Sequence, residues 1–152
     1  MAKERSIMDS NAEFEVHLDL GKRTIVLRMK GLFSEDDMRA FASEYRRATD
    51  RFQRRKHMVI ADMRGMKAIH PTIAKIMGAE IAYARGHGVV LCAHVSDDTV
   101  QRLQARRLAR ENALTDDVSV DVTSVEEAQK VVDEARRRIN DRTGLTSIRA
   151  PA

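Results

Sequence analysis

The sequence predicts an α/β domain on a mixed β-sheet: an opening β-hairpin, then alternating helices and strands, with four main α-helices. Two observations carry this reading. The spacing of apolar residues switches repeatedly between a period of two and a period near 3.6, which separates strands from helices. The order that results is β-β-α-β-α-β-α-β-α, and strand–helix–strand alternation calls for parallel neighbours joined by crossovers.

Phe14-Glu15-Val16-His17-Leu18-Asp19-Leu20 alternates apolar and polar, as a half-buried strand does. Gly21-Lys22-Arg23 is a turn, and Thr24 to Met29 forms the returning strand of an antiparallel hairpin. Ser34 then precedes Glu35, Asp36 and Asp37, a capping serine with an acid three residues on. Met38, Phe41, Tyr45, Ala48 and Phe52 step by three and four along one face of the first helix.

His57 to Asp62 is the third strand, and Asp62 ends it. Pro71 suits a first helical position, because its fixed φ is pre-organised and its missing N–H is an orphan there anyway. The second helix therefore starts at Pro71, carries Ile73, Ile76, Met77 and Ile81, and stops near Gly86 and Gly88. Thr72 falls one residue inside it, near free N–H groups and the positive end of the dipole, where a phosphate would be electrostatically welcome. Val89 to Val95 is almost wholly apolar, as a strand covered on both faces is. Ser96 or Asp97 caps a third helix holding Val100, Leu103 and Leu108, and Val118 to Val122 forms the last strand. The fourth helix is capped by Thr123 or Ser124, has Glu126 and Glu127 in its first turn, and is expected to end with Arg136 to Arg138. Its core face is Val125, Ala128, Val132, Ala135 and Ile139. Residues 1–11 and 141–152 read as flexible tails around a domain at 12–140.

With 152 residues, 43% of them hydrophobic, the chain can bury a sizeable core. No apolar run approaches the roughly 20 residues of a membrane span. The opening Met1 to Ser6 lacks the apolar stretch of a secretion signal. Cys92, alone in an apolar run, reads as a buried thiol, and one cysteine fits a reducing cytoplasm. The net charge of +4 comes with arginines in three helical groups, each among acids, so solvated faces explain them. With no Trp, two Tyr and four Phe, stacking platforms for nucleic acid are missing.

His17, His57, His70, His87 and His94 are scattered without ligand spacing, so neither a metal nor another cofactor is expected. Gly86 and Gly88 precede a strand, the wrong side for a phosphate cradle. Asp97-Asp98 and Asp116-Asp117 sit at element boundaries and read as caps. No nucleophile arrangement is visible, and a non-catalytic protein is expected.

The order of elements and several local stretches resemble the STAS domain, the fold of anti-sigma factor antagonists and of sulfate-transporter tails. The matching stretches are Met29-Lys30-Gly31-Leu32-Phe33-Ser34, Ala61 to Ile69, Gly88-Val89-Val90-Leu91, Val100-Gln101-Arg102-Leu103 and Val125-Glu126-Glu127-Ala128. The resemblance covers about residues 12–140. It implies a bacterial signalling module that binds a serine/threonine kinase-like anti-sigma factor, or another signalling protein, through the second helix and the loop before it. Met66, Lys67, His70, Thr72, Ile73, Ile76 and Met77 would make most of that contact. A homodimer is a further partner to consider.

Switchable antagonists carry Asp-Ser-Ser-Gly at this corner and are phosphorylated on the second Ser. Here the corner reads His70-Pro71-Thr72-Ile73, so Thr72 matches the phosphorylated residue in kind while its neighbours depart from the pattern. Ile73 fills room that glycine would leave for a partner's backbone. The alternative reading is a small-molecule or lipid binder, with a methionine-lined pocket between helices and sheet.

Overall fold

The computed structural model describes residues 12–96, Leu103 and residues 118–143. Five strands form one sheet in the order β1-β2-β3-β4-β5: β1 Glu13–Asp19, β2 Thr24–Lys30, β3 His57–Asp62, β4 Val89–Val95 and β5 Ser119–Val122. β1 is antiparallel to β2, and every later pair is parallel. The helices among the described residues are three: α1 Glu35–Asp50, α2 Pro71–Arg85 and α3 Val125–Thr143. The helix expected after Ser96 falls outside the described residues except for Leu103, which is helical and exposed. Among the described residues, no helix is long and apolar enough to cross a membrane.

The pleat divides the core in two. In β3, Val59 and Ala61 join the cluster under α1 and α2, while Met58 and Ile60 join the cluster under α3 with Ala93, Val95, Ala128 and Val132. A strand covered on both sides can be apolar throughout, which is why all six β3 positions are buried. Phe14, Val16 and Leu18 of β1 are apolar on one face only, so the strand alternates.

Side chains set the helix boundaries. Ser34 accepts the N–H of Asp37 while the Asp37 carboxylate accepts the N–H of Ser34, a complete capping box at the start of α1. Ser124 accepts the N–H of Glu127, and Glu127 reaches back to the N–H of Thr123. α3 runs on to Thr143, past the last turn expected at Arg136 to Arg138. Arg136 to Arg138 therefore lie inside the helix rather than in its last turn. Arg136 binds Asp133 and donates to the Lys22 carbonyl, and Arg138 pairs with Glu134, so i, i+3 and i, i+4 neighbours hold them.

Gly88 is where β4 enters the sheet. Its φ is +109°, and a Cβ there would lie 2.4 Å from the Arg55 carbonyl oxygen. That crowding lets the Gly88 carbonyl accept the His57 N–H at 3.0 Å and start β3 and β4 side by side.

Candidate functional site

The loop between β3 and α2 is pinned to the end of β2. Gly31 forms a parallel bridge with Met66, its N–H donates to Gly65 O at 2.9 Å, and the Lys67 N–H donates to Gly31 O at 3.0 Å. Gly31 and Gly65 both have positive φ, which lets the two turns approach this closely. The loop thus delivers residues 67–72 to the carboxyl end of the sheet.

His70 is the N-cap of α2. Its Nδ1 accepts the N–H of Thr72 at 3.1 Å, Pro71 takes the first helical turn, and the His70 carbonyl receives Ile73 and Ala74 at 2.9 Å. A histidine so placed does what a capping Asp or Ser does, satisfying one orphan donor. α2 has no acid in its first turn, so the helix supplies none of its own to offset the positive end of its dipole.

The seven residues expected to form the site separate by exposure. Lys67, His70 and Thr72 are exposed, while Ile73 and Ile76 are half-buried and lean on the core. Met66 and Met77 point inward, at 4% and 8% exposed, and pack in the core under α2. In this structure they shape the corner from beneath, while the exposed members of the expected set stand at its surface. Ile73 and Met77, spaced i, i+4, share the face that α2 turns to the core, and Ile73 is less covered because it lies in the first turn.

At the foot of the loop, Asp62 is locked by Arg64. The guanidinium donates to both carboxylate oxygens, at 2.9 and 2.8 Å, and the Arg64 N–H adds a third bond at 3.2 Å. Burial works to raise the Asp62 pKa, but these bonds, with Arg28 nearby, outweigh it and hold the group below its ordinary value. Sequence reasoning marked Asp62 only as the end of a strand. The Asp-x-Arg spacing beside a tight turn was the available signal.

The helices α1 and α2 are joined by a second polar group. Glu80, 5% exposed, pairs with Arg46 at 3.2 Å, and burial raises its pKa more than Arg46 lowers it. The Arg46 guanidinium also lies 3.8 Å from the centre of the Tyr83 ring, and Tyr83 donates to Asp50. Beneath them, a cavity of about 40 Å³ is walled by Met29, Met63, Met77, Tyr45, Cys92 and His94. That is room for a water or two. Cys92 is half-buried rather than fully buried, His94 is buried, and His17 stands exposed on β1.

No family model matches the chain, and no curated protein does. Several solved structures match its fold. One is an uncharacterized protein of the DUF3478 family with a SpoIIAA-like fold from Shewanella loihica, with a TM-score of 0.57 and 11% identity over 80% of this chain and 93% of that one. Another is an anti-sigma factor antagonist from Mycobacterium paratuberculosis, with a TM-score of 0.51 and 12% identity over the same shares. The chain therefore has a SpoIIAA-like, STAS-type α/β fold.

Proposed function

We propose that the chain is a non-catalytic STAS-type interaction module of bacterial cytoplasmic signalling. Its partner would be a serine/threonine kinase-like anti-sigma factor or a related signalling protein. The observation that carries this is the corner at the start of α2: exposed Lys67, His70 and Thr72 beside half-buried Ile73 and Ile76, on a loop pinned to β2. A partly apolar surface with a polar, basic rim suits protein docking. The fold shared with an anti-sigma factor antagonist supports the choice of partner class.

Thr72 supplies the switch in this reading. Its side chain is exposed in the first turn of a helix that contributes no acid there. Phosphorylation would add nearly two negative charges and three acceptor oxygens, and an interface fitted to a neutral hydroxyl would lose the partner to desolvation and repulsion. The alternative reading, a small-molecule or lipid binder with a methionine-lined pocket between helices and sheet, has among the described residues a cavity of about 40 Å³ at that place, well below the usual size of such a site.

The test mixes the purified chain with the kinase-fold anti-sigma factors encoded in its own genome, with and without ATP. A complex that Thr72→Glu weakens at least tenfold, with phosphate on Thr72 after ATP, is expected. Binding that Thr72→Glu leaves unchanged removes the switch and keeps the module. No complex with any such partner removes the anti-sigma assignment.

A further inference from the structure

We propose that a groove at the carboxyl ends of β2 and β3 binds a small zwitterion, a molecule bearing a carboxylate or phosphate and an ammonium. The groove has a volume of about 580 Å³, and its charged walls are Glu13, Glu15, Arg28, Lys30, Asp62 and Arg64. That volume lies within the usual range for small-ligand sites, and the carboxyl ends of parallel strands are where open α/β sheets commonly place them.

Strand register builds the walls. Glu13 lies opposite Lys30 and Glu15 opposite Arg28 across β1 and β2, while Arg28 lies opposite Asp62 across β2 and β3. α3 packs over β3, β4 and β5, and among the described residues no helix covers this end of the same sheet face. Glu13 and Glu15 therefore stand along one side, and Arg28, Lys30 and Arg64, with Asp62 among them, along the other.

The cations are pre-set to receive an anion. Asp62, with a side chain only 7% exposed, grips Arg64 through both oxygens and backs Arg28 from 3.9 Å. A buried carboxylate that aims two guanidiniums at a groove lowers the ordering cost of binding. Arg28 is 61% exposed, and its contacts to Glu15 and Asp62 lie at 4.0 and 3.9 Å, so its N–H donors are not committed to short bonds. The stem of Lys30 lies over Gly65, where a Cβ would meet its Cγ at 3.2 Å. Glu13 and Lys30, although register partners, form no ion pair among the described residues.

The charge pattern selects the ligand. A polyanion would meet Glu13 and Glu15, and a simple amine would meet Arg28, Lys30 and Arg64. A zwitterion satisfies both sides and leaves neither repelled. The site uses none of the residues of the α2 corner and does not depend on the partner reading.

Thermal unfolding of the full chain tests this, with O-phosphoethanolamine and single amino acids as probes and with inorganic phosphate and ethylamine as the separate halves, all at millimolar concentration. At least one zwitterion is expected to raise Tm by about 3 °C at roughly ten times its Kd, more than either half does. Arg28→Ala should abolish that rise while changing the unliganded Tm little, because Arg28 is a surface residue. The double variant Glu13→Gln, Glu15→Gln should lose the preference for the zwitterion over phosphate. The proposal is overturned if no zwitterion shifts Tm, if phosphate alone matches the best one, or if Arg28→Ala keeps the full rise.

Discussion

The imidazole of His70 and the backbone N–H of Thr72 form the hydrogen bond that starts α2, with Nδ1 accepting at 3.1 Å. The residue expected to be modified and the residue that caps its helix are thus one unit. Removing the acceptor by His70→Ala should cost about 1 kcal/mol in urea unfolding, the usual value of an N-cap. His70→Asp should recover that loss or exceed it, since a carboxylate also meets the positive helix end. Equal stability of the Ala variant and the parent would show that the cap contributes nothing.

Asp62 should give the protein part of its acid sensitivity. Its folded pKa lies below its ordinary value, because the Arg64 bonds outweigh the opposing effect of burial. The stabilisation is therefore present above the unfolded pKa of about 3.9 and is lost as pH falls through the lower folded value. Asp62→Asn should cost about 1–2 kcal/mol at neutral pH, discounted from the range for charged hydrogen bonds because Arg64 is well exposed. Urea unfolding of both proteins across the acid limb should show the gap closing as pH drops.

His57 acts in the same direction at milder pH. It is fully buried, stacks on Phe52 at 4.4 Å and uses Nδ1 toward the Arg55 carbonyl at 2.9 Å. Burial lowers its pKa, against the smaller upward pull of that hydrogen bond. The unfolded chain then takes up a proton first as pH falls through about 6.5, so stability falls from there down to the folded pKa. His57→Gln, neutral throughout, should flatten the dependence of Tm on pH between about 5 and 7. An unchanged slope would mean another group titrates.

Gly88→Ala should fail badly. The substitution puts a Cβ 2.4 Å from a backbone oxygen at a φ of +109°, and neither can relax without moving the β3 start. A loss of at least about 2–3 kcal/mol, or failure to fold, is expected by urea unfolding.

The fold was legible where a local rule and the tertiary environment agree. β3 at His57–Asp62 and α2 at Pro71–Arg85 could be read closely, because an apolar run buried on both faces and a proline-opened helix leave little choice. The end of α3 was misplaced, because Arg136 to Arg138 suit a last turn yet the helix runs on past them, with Arg136 held by Asp133 and the Lys22 carbonyl and Arg138 by Glu134. At the α2 corner, the helix start at Pro71 was visible, but the burial of Met66 and Met77 was not. Their inward turn depends on how α2 lies on the sheet, which spacing alone does not reveal. The groove escaped notice because it exists only through register: Glu13, Arg28 and Asp62 are far apart in sequence and meet across three strands.

Amide hydrogen exchange on the chain, free and bound to a kinase-fold anti-sigma factor, tests the central claim most directly. Protection on binding should concentrate in residues 67–76 and leave α3 unchanged. Protection confined to β1 or α3, with residues 67–76 exchanging as in the free protein, would contradict the assignment of the α2 corner as the docking surface.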